Sequence, residues 1–315
     1  GGRLGPPGGA GGGLIGSPRP GRPVTRPYEG RRAALASMHR KEVGVAPPFR
    51  DHHGLTLVVP PGIDTDALGA FTGEVARRGT MRETAVAKAR LGMEATGLPL
   101  GLASEGSYGA HPLLPFARGG MELLVLVDDE RGTAVAETLV LDRTNAERIV
   151  VAGDGGEALE AFLDRVGFPS HGVVVRPNEP RSVEPGGAPE GLTKGVRARP
   201  ALERAREEAA AASSDGRARV ETDLRAHVNP TRMDAIRRVA ERLARRLLVP
   251  CPACRAPGFG FVRAPRGLPC RVCGTATQAA AGRVFGCAAC DHTEERPRED
   301  GRTTAEPRVC SVCNP

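Results

Sequence analysis

Residues 251–315 read CPACRAPGFGFVRAPRGLPCRVCGTATQAAAGRVFGCAACDHTEERPREDGRTTAEPRVCSVCNP. All eight cysteines of the chain lie here, as four Cys-x-x-Cys pairs: Cys251/Cys254, Cys270/Cys273, Cys287/Cys290 and Cys310/Cys313. A Cys-x-x-Cys turn aims two thiolates at one point, and two such turns complete a tetrahedral zinc shell. Four pairs supply ligands for two closed four-sulfur sites. A disulfide framework needs an export context, and no signal peptide is visible. A redox dithiol needs one pair beside a strand and a helix, not four in a Gly/Pro/Arg-rich tail. Four thiolates also suit an iron–sulfur cluster, the main rival to zinc.

The gaps between pairs are 15, 13 and 19 residues. Sequential sharing, first with second and third with fourth, is the expected pairing. A hairpin over TATQAAAGRVFG would instead join the middle pairs, and a crossed arrangement is open too. Each gives a zinc-ribbon-like module held by metal, because its apolar content is too thin for a core. Closed shells leave no open coordination position, so the two Zn ions are expected to be structural. The tail carries nine Arg against six Asp/Glu, a formal +3. Eight thiolates with two Zn2+ add −4, so the metallated tail is near −1 and the chain falls from +7 to +3. That weakens the case for a phosphate-backbone platform. An adaptor role toward nucleic acid or protein rests on analogy with other zinc ribbons.

Upstream, the 315 residues are long enough for further domains. No apolar run approaches a membrane span, and reduced thiols without an export signal point to the cytoplasm. Residues 1–27 are a Gly/Pro/Arg tract expected to be disordered. From Tyr28, AALAS (33–37) and LTLVVP (55–60) read as strands. TMRETAVAKARLGMEATG (80–97) reads as a helix, with Thr80 as cap, Glu83 at the third helical position and Gly97 as stop. LPLGLAS (98–104) reads as a buried strand, and MELLVLVDD with TAVAETLVL as a hairpin around DERG. GGEALEAFLDRVG is a helix leading into the strand HGVVVRP. The order implies a mixed α/β sheet with flanking helices over 28–178. Residues 179–250 are expected to complete the body, as a linker over 177–200 and a helix–strand–helix. TRMDAIRRVAERLARRLL is amphipathic and runs directly into the first cysteine pair. The module over 251–315 is therefore expected to dock rigidly.

The chain holds three lysines against 41 arginines, so a Lys that remains is more often needed as Lys. Lys41 lies in LASMHRKE and Lys88 in ETAVAKA. LGLASEGSYGAHP places Ser104, Glu105, Ser107 and His111 on an expected small-residue loop after a strand. Carboxylates beside cations and Gly/Ser loops are what a Mg2+-phosphate site requires. Asp223, Arg225 and His227 are expected on one strand face, before Asn229 as helix cap and Pro230 at the first position. His53, His171 and His292 read as surface or packing residues. Asp128-Asp129-Glu130 reads as a solvated hairpin turn.

The order His39-x-Lys41-Glu42, ETAVAKA, then TGLPLGLASEGS resembles the inosine/xanthosine triphosphate pyrophosphatase family over roughly 33–112. The resemblance implies a Mg-dependent nucleotide hydrolase. Lys41 matches its phosphate-binding lysine, Glu83 its metal-binding helical glutamate, Lys88 its Lys-Ala lysine and Glu105 a member of its acidic loop. The implied site has Glu83 and Glu105 on Mg2+, with Asp64 or Asp66 assisting. Lys41 and Lys88 hold phosphates, Ser104 and Ser107 line the site, and His39 or His111 orients water. Ser104-Glu105-Gly106-Ser107 has one carboxylate where that family has two. A longer resemblance, from YEGRRAALASMHRKE to the final CNP, is to an uncharacterised bacterial family, a domain of unknown function. It implies that the cysteine tail belongs with the body.

Overall fold

The structure is a computed structural model and describes residues 26–68, 79–110, 118–182 and 187–315. The N-terminal Gly/Pro/Arg tract lies outside the described residues up to position 25, as does His111. Three hydrogen-bonded sheets account for the strands. The first has the order β2-β1-β3-β4-β5, from β1 (Arg32–Leu35), β2 (Thr56–Val58), β3 (Leu100–Ala110), β4 (Arg118–Asp128) and β5 (Thr133–Leu141). β1 pairs in parallel with β2 and β3, whereas β3, β4 and β5 form an antiparallel meander.

The first sheet is covered on both faces, and alternation assigns the residues. Leu100, Leu102, Leu124 and Leu126 point to one face, against Val45 and Phe49 of α1 (Glu42–His53) and Ile236, Val239, Leu243 and Leu247 of α5 (Pro230–Leu247). Ala103, Val125 and Val127 point to the other, against Ala85, Ala89 and Met93 of α2 (Met81–Thr96). α2 sits close because Gly101 has no side chain: a Cβ there would lie 2.5 Å from Met93 Cγ. The helix starts where expected. Thr80 accepts the Glu83 amide while the Glu83 carboxylate accepts the Thr80 amide, and Gly97 ends it in the left-handed region.

A second sheet, order β6-β9-β7-β8, is antiparallel throughout and has its own core. Its strands are β6 (Arg148–Val151), β7 (Val173–Pro177), β8 (Thr193–Val196) and β9 (Ala218–Thr222). Phe162 and Leu163 of α3 (Gly156–Val166) and Leu202 of α4 (Arg199–Ala211) pack on Val173, Val175 and Val220. The expected division at 178/179 therefore falls inside this sheet. From the expected 179–250 segment, Ala226 and α5 return to the core of the first sheet.

Several local expectations are corrected. Residues 105–110 continue β3 and are not a loop, because β4 pairs with them along their full length. The strand before α5 stops at Thr222, so Asp223, Arg225 and His227 do not share a strand face; a 3-10 turn begins at Ala226. β8 occupies part of the expected linker. Asp128 is not solvated: it is fully buried and accepts from Tyr28 Oη at 3.3 Å and Arg131 Nη1 at 2.7 Å. α1 was not foreseen, and it carries Pro47 and Pro48 inside it.

α5 is fixed at both ends. Asn229 caps it by accepting the Arg232 amide, and Pro230 occupies the first turn. One turn in, Arg232 Nε donates to Glu122 Oε1 of β4 at 2.6 Å, with side-chain exposures of 1% and 0%. Near the other end, Arg246 donates to the carbonyls of Ala136, Gly258 and Phe261 and to the Glu137 carboxylate. That one guanidinium joins α5, β5 and the cysteine tail. The tail's own sheet, β10-β11-β12, is an antiparallel meander of Gly260–Arg263, Arg283–Gly286 and Thr293–Arg296.

A buried pair broken on one side leaves an uncompensated charge. Glu122→Gln should lower unfolding free energy by about 3–5 kcal/mol in urea titrations, and Glu122→Leu with Arg232→Met by clearly less.

Candidate metal centres and a buried charge cluster at the sheet switch point

Backbone hydrogen bonds close the Cys-x-x-Cys turns. The amides of Cys251, Cys270 and Cys287 donate to the carbonyls of Ala256, Thr275 and His292. The carbonyls of Cys251, Cys270 and Cys310 accept from Arg255, Gly274 and Asn314. Arg255 and Gly274, each just past the second cysteine, adopt positive φ of 65° and 73° to close the turn.

Two groups of sulfurs result: Cys251, Cys254, Cys287 and Cys290, and Cys270, Cys273, Cys310 and Cys313. Within each group all ligand atoms lie within 4.8 Å of one another. Cross-pair separations are 3.8 and 3.6 Å in the first group and 3.9 and 3.6 Å in the second. Four sulfurs about 2.3 Å from one ion form a tetrahedron with edges of about 3.8 Å. The groups are therefore sized for a metal ion and far too open for the disulfide length of about 2.05 Å. The pairing is crossed, first with third and second with fourth, which corrects the sequential expectation. The reason lies in β11: it pairs with β10 on one side and β12 on the other, bringing the third pair to the first. Pro269 and Arg271 hydrogen-bond with Ala305, bringing the second pair to the fourth.

The second site lies in the first sheet. β1 leads to β2 through α1 on one face, whereas β3 is reached through α2 on the other. β1 and β3 thus part at a topological switch point, where open α/β sheets bind ligands beyond the strand ends. β1 ends at Leu35 while β3 runs on to Ala110. The loop Ser37–Lys41 borders β3 beyond the end of β1. Ser37 Oγ accepts the Lys41 amide at 3.1 Å, and Arg40 sits at φ 53°, a left-handed conformation that costs free energy for a non-Gly residue. The Lys41 amine donates to the Ser104 carbonyl of β3 at 3.3 Å. Its neighbour Glu105 turns to the α2 face and binds Lys88 Nζ at 2.9 Å, both groups buried.

On the α5 face, Tyr108 Oη donates to Glu122 Oε1 at 2.7 Å, beside Arg232. Gly106 makes room for the pair, since a Cβ there would lie 2.6 Å from Glu122 Oε1. Ser104 Oγ and Glu122 Oε2 are buried without a hydrogen-bond partner. Lys41 is 7% exposed and lies between the two ion pairs. Burial pushes its pKa down to about 8, helped by Arg232 and Lys88 and opposed by Glu122 and Glu105. Burial, followed by the Glu122 charge, holds the Tyr108 phenol well above its usual range.

Of the expected site residues, Lys41, Lys88, Ser104 and Glu105 come together here. His39 is buried in the same loop and stacks on His227 at 5.2 Å between ring centroids. Ser107 follows Glu105 on the α2 face of β3. Asp64 is exposed and caps the turn at Ala67. Asp66 lies in that same turn, which reaches the Lys41 loop through the Thr65 amide and Met38. Glu83 is not brought in: it is exposed and holds Thr80, which lowers its pKa. Glu122 and Tyr108 were missed. A carboxylate near the start of the apolar run MELLVLV, in phase with two inward leucines, was the available signal for Glu122.

A family model described as "Domain of unknown function (DUF6671)" matches residues 88–315. The chain belongs to the DUF6671 family. The DUF6671 match begins at Lys88 and takes in β3 to β12, Glu122, Arg232 and all eight cysteines. No curated protein matches the chain. Among the described residues no helix is long and apolar enough to cross a membrane.

The crossed pairing has a direct test. Cys254→Ser with Cys287→Ser removes two ligands from one group, so about one tightly held ion per chain should survive mild chelation. Cys254→Ser with Cys273→Ser wounds both groups, and none should survive. Sequential pairing would reverse the two results.

Lys41 sets a pH dependence. Its folded pKa, about 8, lies below the ordinary 10.5. Below pH 8 the buried charge disfavours folding in full. As pH rises toward 10.5 the folded state sheds a proton that the unfolded chain keeps, so this contribution shifts toward stability. Lys41→Met should therefore exceed wild type by at most about 3 kcal/mol at pH 7, with the gap closing by pH 10 in parallel urea titrations.

Proposed function

We propose that the chain is a two-zinc protein whose α/β body binds a phosphate-bearing small molecule, a nucleotide, at the crevice between β1 and β3. The observation that carries this reading is the charge surplus there. Among the described residues, Lys41, Lys88 and Arg232 are gathered around Glu105 and Glu122, all buried. An anion would balance that surplus, and the switch point is where an α/β sheet leaves room for one. Lys41 and Lys88 hold the phosphates. The resemblance to nucleoside triphosphate pyrophosphatases adds hydrolysis of a phosphoanhydride. Of the carboxylates that it assigns to Mg2+, Glu105 lies in the crevice and Glu83 does not. The residues present therefore fit phosphate better than they fit a metal site.

Zinc in the cysteine groups is structural in this reading, because four sulfurs close each shell. A second reading, a zinc-ribbon adaptor for a protein, is favoured by Val272, Val309 and Val312, all exposed around the second group.

Calorimetric titration with inorganic pyrophosphate and with ATP, each with and without Mg2+, tests the first reading. Binding should fall about tenfold or more in Lys41→Met and stay unchanged in Glu83→Gln. No heat at millimolar ligand, or equal binding by Lys41→Met, would overturn it. Elemental analysis should return zinc, and iron would overturn that assignment.

A further inference from the structure

Phosphate binding leaves one feature of the crevice unexplained. A guanidinium grips phosphate with a planar fork of donors and stays charged under any burial, whereas an ammonium is a point charge that sheds its proton when desolvated. A chain that uses arginine 41 times and lysine three times nevertheless places lysine at positions 41 and 88, in its most buried charge cluster. For Lys88 the structure supplies a reason, since its amine is matched one-to-one with Glu105. Lys41 has no such match. Among the described residues its amine makes one hydrogen bond, to the Ser104 carbonyl. The carboxylates beside it are already engaged, Glu105 by Lys88 and Glu122 by Arg232 and Tyr108.

We propose that Lys41 is a nucleophilic amine that forms an imine with a carbonyl-bearing, phosphorylated ligand in the crevice. The inference rests on the reading of that crevice as the ligand site. The groups facing Lys41 come from every element around it: Arg232 of α5, Glu122 of β4, Lys88 of α2 and Glu105 of β3. Two cations offset two carboxylates, so burial is what favours the neutral amine, as in lysine nucleophiles desolvated in a pocket. The neutral nitrogen attacks the carbonyl carbon, forming a C–N bond. The nitrogen's proton passes to the carbonyl oxygen, giving a carbinolamine. Loss of that oxygen as water leaves the imine, with no change of oxidation state. Ser104 Oγ is buried and unpartnered on the very residue whose carbonyl holds the amine. It is the hydroxyl placed to relay the proton. The strained Arg40 backbone, next to Lys41, fixes the start of the amine's tether.

The test uses the intact chain and pyridoxal 5′-phosphate, an aldehyde that carries a phosphate. Cyanoborohydride traps any imine as a secondary amine, and peptide mass mapping locates it among only three lysines. Exposed Lys194 serves as internal reference. At pH 8 the adduct on Lys41 should exceed that on Lys194 by about tenfold or more, with a labelling midpoint near pH 8 for Lys41. Faster labelling of Lys194, or none at Lys41, overturns the proposal. Two further arms separate it from the phosphate reading. Protection by pyrophosphate, with weaker labelling by pyridoxal, supports both. Equal labelling of Lys41 by pyridoxal and its phosphate, without protection, keeps the nucleophile and removes the phosphate site. Calorimetric binding of pyrophosphate without a Lys41 adduct does the reverse.

Discussion

The ion pair between Glu122 and Arg232 is the constraint on which the rest of the structure turns. Both groups are fully buried, so neither can be left without the other. Arg232 sits in the first turn of α5 and Glu122 in the middle of β4, so the pair fixes the helix over the sheet in one register. With that register set, Ile236, Val239, Leu243 and Leu247 fall onto the leucines of β3 and β4. Domains of this kind are stable by roughly 5–15 kcal/mol, so a pair whose breakage costs about 3–5 kcal/mol is a large share. Two apolar residues of similar volume would give comparable stability. What the charged pair adds is discrimination, because sliding α5 by one turn would strand both charges.

The same helix carries that placement to the cysteine tail. Arg246 lies 14 residues beyond Arg232, close to four helical turns, so both project toward the sheet. Arg246 gathers carbonyls from β5 and the tail, and Gly258 lets the tail backbone lie against Val135. Inside the tail the buried apolar residues are few, chiefly Phe259, Leu268, Val284 and Ala305. Hydrophobic burial on that scale cannot offset the entropy of ordering some sixty residues. Metal must supply the difference, and crossing the pairs makes the supply cooperative. Each site closes a loop that contains one knuckle of the other, so closing one site shortens the loop that the other must order.

Much of this was legible in the sequence, and the exceptions have physical causes. The α2 cap box, the β4–β5 hairpin, the Asn229 cap and the eight ligands all depend on local residue patterns. What failed depended on partners far away in the chain. Residues 105–110 look like a loop because Gly and Ser dominate them, yet Gly106 is there to clear Glu122. α1 was hidden by Pro47-Pro48, whose penalty is outweighed by Phe49 and Val45 in the core against α5. The cysteine pairing was invisible because spacing is compatible with every scheme, and only the β11 hairpins decide it. Lys41, Lys88 and Glu105, singled out by residue type, lie near one another, whereas Glu83 stands apart: in the capping box its carboxylate is already bound to Thr80.

The crevice itself follows from unequal strand lengths. Because β1 stops at Leu35 and β3 continues, the β3 edge would expose unpaired carbonyls to the interior. A side-chain donor must cover them, and Lys41 does so at Ser104. An edge of this kind could be covered by a neutral amide at no electrostatic cost. Using an amine instead places a third buried cation beside two that are already paired, and the result disfavours folding at neutral pH. The strained Arg40 and the two unpartnered oxygens at Ser104 and Glu122 lie in the same few ångströms and act in the same direction. Elsewhere the first sheet keeps its leucines and alanines in phase, and α2 and α5 carry side-chain caps. Local violations concentrated at one switch point, in an otherwise consistent structure, are the pattern that the proposed ligand site would produce.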